Sequence, residues 1–193
     1  MNNLFLNSNT IFFGSYPQSG NLLKREPIEW IVLEKANGQS LCISKFLLDC
    51  KPYHHAPGKI TWKACSLRHW LNHVFFACAF TQKEQERIAL SEMKNPKGNT
   101  VDQVFLLNLD EAERYFNFEN RAAKVTPFAQ RQGAWNIDEY GVWWLRYSGA
   151  EDRMEEGELD GISCVNFDGH IEENASEPTD LVCSVRPAIW LKS

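Results

Sequence analysis

A single α+β domain with a mostly antiparallel sheet is the fold this sequence predicts. Three observations carry that reading. Apolar runs with strand-like alternation fill the first third, capped amphipathic segments fill the middle, and strand-like runs return at the end. With 193 residues, 44% of them hydrophobic, the chain suffices for one domain with a real core and is too apolar to be disordered throughout.

The elements follow in order. "TIFFGSYPQ" reads as a short strand closed by Gly14 and Pro17. In "IEWIVLEKANGQSLCISKFLL" two apolar runs flank Asn37-Gly38, a dipeptide that tolerates the positive φ of a tight turn, so 28–34 should pair with 41–47. "DCKPYHHAPGK" has two prolines and reads as a loop. In "CSLRHWLNHVFFACAF" the residues Leu67, Trp70, Leu71, Val74, Phe75 and Cys78 recur at helical spacing as one buried face, with Ser66 as the N-cap. Thr81 with Glu84, and Asn108 with Glu111, form two capping boxes that start two more helices. "GVWWLRY", "GISCVNFDGHIEEN" and "LVCSVRPAIWL" close the chain as strands, with Asp168-Gly169 as a second hairpin turn. Pro187 cannot donate to a ladder, so the last strand is kinked or at an edge there, and Arg186 is expected to pair with a carboxylate.

Composition limits the function classes. No run approaches the roughly 18–20 apolar residues of a membrane span, which argues against membrane insertion. The start, "MNNLFLNSNT", lacks the basic and apolar regions of a secretory signal, so a cytoplasmic location is expected. The six cysteines are widely spaced with no CxxC and read as free core thiols, with a Cys164–Cys183 bridge held open because both lie in strands expected near one another. Net charge is −5, and residues 151–180 hold eleven acidic groups against the single Arg153. Such a face does not suit nucleic acid, whose phosphates need Lys and Arg.

The sites that chemistry could use are few. GxSxG, HExxH, Walker and GxGxxG motifs are all absent. Cys65, His69 and His73 stand at i, i+4 and i+8 on one helix, opposite its apolar stripe, where a solvated face is a better reading than a structural metal site. His54-His55 could supply a fourth ligand. Calcium is a second candidate, through "EPTD" (Glu177 to Asp180), "WNID" (Trp135 to Asp138) and the acidic run. Trp143 and Trp144 alternate faces in a strand, so one should pack under the helices. The other, with Arg146 or Tyr147 beside it, forms an amphipathic binding platform unless a second apolar layer covers it.

Several stretches, taken together, carry a resemblance. They are "IFFGSYPQ", "EPIEWIVLE", "ITWKACSLRHWLN", "VFLLNLDEAERYF", "RAAKVTPFA", "WWLR", "VNFDGHI" and "SVRPAIWL". In this order they resemble an uncharacterised bacterial domain-of-unknown-function family, numbered six-two-seven-three, over nearly the whole chain. Its closing pattern, a tryptophan-rich strand, an NxDG hairpin and a VRPA strand, is similar to the end of C-type-lectin-like domains. That group includes the formylglycine-generating-enzyme branch and the variable proteins of diversity-generating retroelements. The resemblance implies a C-type-lectin-like domain over 1–193, with an acidic loop insertion around 148–161 among the ligand-facing loops. Family members tend to be shorter there and rich in Ser, Asn and Gly, so specificity here would shift towards something cationic. The implied function is a non-catalytic recognition module for a protein or carbohydrate ligand, in a bacterial or phage-derived system. Its contacts would be Trp143, Trp144, Arg146, Tyr147, Glu155, Glu156, Glu158 and Asp168. Two alternatives stand beside it: an enzyme related to the formylglycine-generating branch, and a purely structural domain. That branch uses a close cysteine pair, whereas Cys164 and Cys183 are nineteen residues apart.

Overall fold

In the computed structural model, which describes residues 10–21, 23–95, 97–146 and 161–193, the hairpin signals hold. β1 (Thr10–Pro17) runs antiparallel to β2 (Arg25–Ala36), which Asn37-Gly38 turns into β3 (Gln39–Ser44). Both turn residues have positive φ, 52° and 71°, the geometry that matches the twist of paired strands. Trp30 pairs with Ser44 and Ala36 with Gln39, with one bulge between Val32 and Glu34.

After β4 (Asp49–Cys50) the chain becomes helical. A 14-residue helix comprises α1 (Ser66–Trp70), a π-helical turn (Leu71–Phe75) and α2 (Phe76–Ala79). The N-cap is Cys65, whose sulfur accepts from the backbone N–H of Arg68, so the cap lies one residue before the expected Ser66. The π turn also moves the buried face. It spaces the inward positions at Leu67, Leu71, Phe75 and Ala79, while Val74 and Cys78, expected inside, turn to solvent. Asn72, within this turn, ties it to the neighbouring chain: its Nδ2 donates to the carbonyl of Val104, and its Oδ1 accepts from Gln103 N at 2.8 Å. The capping boxes are both present, Thr81–Glu84 on α3 (Gln82–Arg87) and Asn108–Glu111 on α4 (Leu109–Tyr115).

Between these helices, β5 (Ser91–Met93) and β6 (Thr100–Asp102) form a two-stranded ribbon. Beyond α4 come α5 (Phe118–Arg121), β7 (Ala123–Lys124), α6 (Pro127–Arg131), β8 (Asn136–Ile137) and β9 (Tyr140–Gly141), the three strands pairing as β7-β9-β8. The tryptophan strand is β10 (Trp143–Trp144), followed by β11 (Ile162–Val165), β12 (Ile171–Ser176), β13 (Ser184–Val185) and β14 (Ala188–Lys192). Gly169 closes the β11–β12 hairpin at φ 94°, where an added Cβ would stand 2.3 Å from the Phe118 carbonyl oxygen, so only glycine fits.

Two main sheets result, β1-β2-β3-β14 and β12-β11-β10-β13-β4. A single ribbon joins them: 39–50 runs antiparallel to 184–192, with Ile43 opposite Ala188 and Asp49 opposite Val185. Pro187 stands where that ribbon passes from one sheet to the other, the kink its missing donor requires. Every named strand pair is antiparallel except β10 with β13. The described chain is one compact α+β domain, rich in sheet and short of helix. None of its helices is long and apolar enough to cross a membrane.

Candidate functional site

Trp143 and Trp144 face opposite sides of β10, and both sides are inside. Each indole is fully buried. The Trp144 ring meets Tyr53 edge-on at 5.7 Å, and its Nε1 donates to the Lys51 carbonyl at 2.8 Å. The Trp143 ring carries the Arg186 guanidinium 4.9 Å from its centroid. The expected platform is therefore corrected: packed layers cover the tryptophans on both faces, and neither offers surface to a ligand. Arg146 is buried with them, only 1% exposed. It donates to the Leu106 carbonyl at 2.8 Å and to Asn95 Oδ1 at 3.0 Å, and reaches both carboxylate oxygens of Glu111 at 3.3 Å.

Arg186 corrects a second expectation. Among the described residues it meets no carboxylate. It donates to the carbonyls of Ser44 and Arg121 and lies between the rings of Phe116 and Trp143. Complete desolvation pushes its pKa down to about 9, which still leaves it charged at neutral pH.

Asp168 is exposed at the hairpin turn. It accepts from the backbone N–H of His170 at 3.1 Å and pairs with His170 Nδ1 at 3.0 Å, so its carboxylate is used to fix the turn. The His170 hydrogen bond holds it below the usual carboxylate range. Tyr147, Glu155, Glu156 and Glu158, with the acidic loop up to residue 160, lie outside the described residues.

The roomier of two concavities among the described residues forms elsewhere, at the start of α1. It is a cleft of about 550 Å³, in which His54 and His55 of the proline-rich loop face Lys63, Arg68, His69 and Trp70. Among the described residues its lining contains no acidic side chain, in a chain with 25 Asp and Glu. Arg68 is fixed from below: its Nε donates at 2.6 Å to Asp102, a fully buried carboxylate that also accepts from Trp62 Nε1 and Thr100 Oγ1. Lys63 is exposed, with no ion pair among the described residues. His54 Nδ1 accepts from the backbone N–H of Ser66 at 3.2 Å, and Ser66 Oγ accepts from His55 N at 3.1 Å. Both groups are thus occupied in closing the loop onto the helix, and among the described residues no acid orients His54 as a catalytic base would require. The imidazoles of His69 and His73 stack at 4.1 Å. Cys65 does not join them, because it is buried with its thiol donating to the Trp62 carbonyl.

A second concavity, about 340 Å³, lies between Gln18, Phe46, Thr126 and Pro127. Its rim charges are already matched, Lys124 to Glu139 at 2.7 Å and Glu26 to Lys24 at 2.8 Å.

Residues 37–193, from the first hairpin turn to the end of β14, match the family described as Domain of unknown function (DUF6273). The chain belongs to that family. Among curated proteins and among solved structures, nothing matches it.

The DUF6273 match spans both the tryptophan strand and the cleft. Sequence reading passed over Lys63, Arg68 and Trp70 as site residues. It treated His54 and His55 only as spare metal ligands, although a histidine pair in a loop just ahead of a histidine-bearing helix was the available signal. Cys164 and Cys183, for which a bridge was held open, are free thiols, one on β11 and one just before β13, either side of β10, and Ser176 Oγ lies 3.9 and 3.7 Å from their sulfurs. Among the described residues no three His, Cys, Asp or Glu side chains are grouped as metal ligands would be.

Proposed function

We propose that this domain is a non-catalytic recognition module of C-type-lectin-like fold, and that it binds a carboxylate-bearing ligand in the cleft at the start of α1. The observation that carries the reading is the cleft's lining, which among the described residues has Lys63 without an ion pair, the Arg68 guanidinium, the rings of His54, His55 and His69, and no acid, in a net-acidic chain. The anchored Arg68–Asp102 pair keeps one donor fork in place, and preorganised donors lower the ordering cost of binding. Trp70, half-buried with Lys51 5.5 Å from its ring centroid, supplies an aromatic wall. The lectin-like part rests on the NxDG hairpin leading to a last strand that lies in one sheet with the first. A cationic ligand for the acidic segment would rest on residues 147–160, so the proposal follows the described cleft.

Protein and carbohydrate ligands share this chemistry, as peptide Asp or Glu side chains and as uronic acids. Binding of a Glu-rich peptide and of an oligo-uronate, each against its neutral counterpart (a Gln-rich peptide, a neutral glucan), separates the two sources. The expected result is binding of one acidic probe, at least tenfold weaker for Lys63→Ala and weakening as salt rises. Equal binding of acidic and neutral probes, or none of either, removes the proposal. An enzyme of the formylglycine-generating kind would need the Cys164/Cys183 pair open to a substrate, whereas both thiols are buried.

A further inference from the structure

At the rim of the cleft, two exposed imidazoles stand together on one helix. His69, on α1, lines the cleft; His73 follows four residues later in the π turn and is not part of that lining. Residues at this spacing share a helix face, one turn apart. Their rings stack, with centroids 4.1 Å apart and planes at 19°.

Hydrogen bonding fixes how one of these rings can act. His73 Nδ1 lies 2.9 Å from the His69 carbonyl oxygen. A carbonyl only accepts, so Nδ1 holds the hydrogen, and in the neutral ring Nε2 keeps the lone pair. Metal-ligating histidines are held in this way, one ring N–H given to a carbonyl and the other nitrogen left to coordinate. The His69 ring makes no hydrogen bond among the described residues, so either of its nitrogens can coordinate. His54 is the reverse case. Its Nδ1 lone pair accepts from the Ser66 N–H, which puts the hydrogen of the neutral ring on Nε2.

We propose that His69 and His73 form an exchangeable two-imidazole site for a divalent transition metal, zinc above all, whose open positions take a carboxylate of the ligand bound in the cleft. The carboxylate's part rests on the function proposed for the cleft; the metal site itself does not. Imidazole suits zinc, copper and nickel, whereas calcium and magnesium prefer oxygen. The exposed rings pass from stacked to converging by turning about χ2, a broad torsion in histidine. Two protein ligands leave positions for water or an incoming oxygen, unlike the closed four-ligand shell of a structural zinc. Charge decides what fills them. Lys63 and Arg68 stand in the same lining, and Asp102 offsets only Arg68. A dication on neutral imidazoles adds to that positive charge, so an anionic oxygen completes the site better than water does. Metal and carboxylate should then strengthen each other's binding by the same factor.

The test uses the full chain with Cys78→Ser, which removes the exposed thiol of the same helix, stripped of metal with EDTA and dialysed. Calorimetric titration with zinc chloride should give one ion per chain. His69→Ala and His73→Ala should each weaken it on the order of tenfold or more, and His170→Ala by less than about twofold. A Glu-rich peptide should bind about tenfold more tightly with zinc than in EDTA, and His73→Ala, outside the cleft lining, should abolish that gain. Zinc held equally well by both cleft-rim alanine variants, or no saturable zinc binding, overturns the site. Equal peptide binding with zinc and in EDTA overturns the shared carboxylate and leaves the function proposed for the cleft standing. Zinc bound at the pair with no peptide binding in either condition overturns the shared carboxylate and that function together.

Discussion

The tryptophan strand and the histidine cleft meet at Tyr53, yet their polar groups are used in opposite ways. The Tyr53 hydroxyl donates to the Arg146 carbonyl and its ring packs on Trp144, while the next residue, His54, opens into the cleft. On the strand side, Arg146 and Arg186 are cations without solvent, held by Glu111 in one case and by two carbonyls and two aromatic faces in the other. On the cleft side the cations line open space. The difference shows that rarity in a sequence is a poor guide to exposure. Seven tryptophans drew attention to β10, and the surface able to meet a ligand is made of ordinary Lys, Arg and His.

The comparison breaks most directly at the tryptophans. Trp143→Ala and Trp144→Ala should each cost about 3–5 kcal/mol, because each empties a fully buried site, and denaturant unfolding measures it. A loss below about 1 kcal/mol at either position would return that indole to the surface. The next effect falls on the two arginines. Glu111→Ala removes both the carboxylate facing Arg146 and half of a capping box, at about 2 kcal/mol once the partial exposure of Glu111 is allowed for. Arg186→Met leaves no charge behind but strands two buried carbonyls, at about 1–3 kcal/mol. If Arg186→Met exceeds the tryptophan variants, a carboxylate partner has been overlooked.

Cleft substitutions sharpen the other half. Lys63→Ala and His55→Ala should stay within about 0.5 kcal/mol of the parent in stability while weakening the acidic probe, since both side chains are exposed. The smallest effect belongs to Asp168. Its pKa is lowered in the folded state, so its contribution is present above the unfolded carboxylate value and fades as pH falls through the folded one. Asp168→Asn should flatten the acid limb of the Tm profile by about 1 °C, because the pair is exposed and screened.

The fold was legible where local chemistry decides it. Asn37-Gly38, Asp168-Gly169 and the two capping boxes act within a few residues, and each is found where the sequence put it. The helical face was legible only in part, because the π turn at Leu71–Phe75 depends on Asn72 bonding residues 103 and 104, far along the chain. The site was less legible still. Which face of β10 is covered depends on Tyr53, Phe116 and Arg186, all remote in sequence, and alternation alone shows two faces without saying what packs on them. The cleft gathers residues 54 to 74 around a helix start, and spacing gives no account of open volume.

The central claim is that ligand contact belongs to the cleft, and the five histidines report on it directly. Imidazole ¹H–¹³C correlation spectra of the labelled chain, titrated with the acidic peptide or the oligo-uronate, read all five at once. Saturable shifts at His54, His55 and His69, with His170 beside Asp168 unmoved, are the result the account predicts. Shifts confined to His170, with the cleft histidines silent at saturation, would contradict it and return the binding surface to the β11–β12 hairpin.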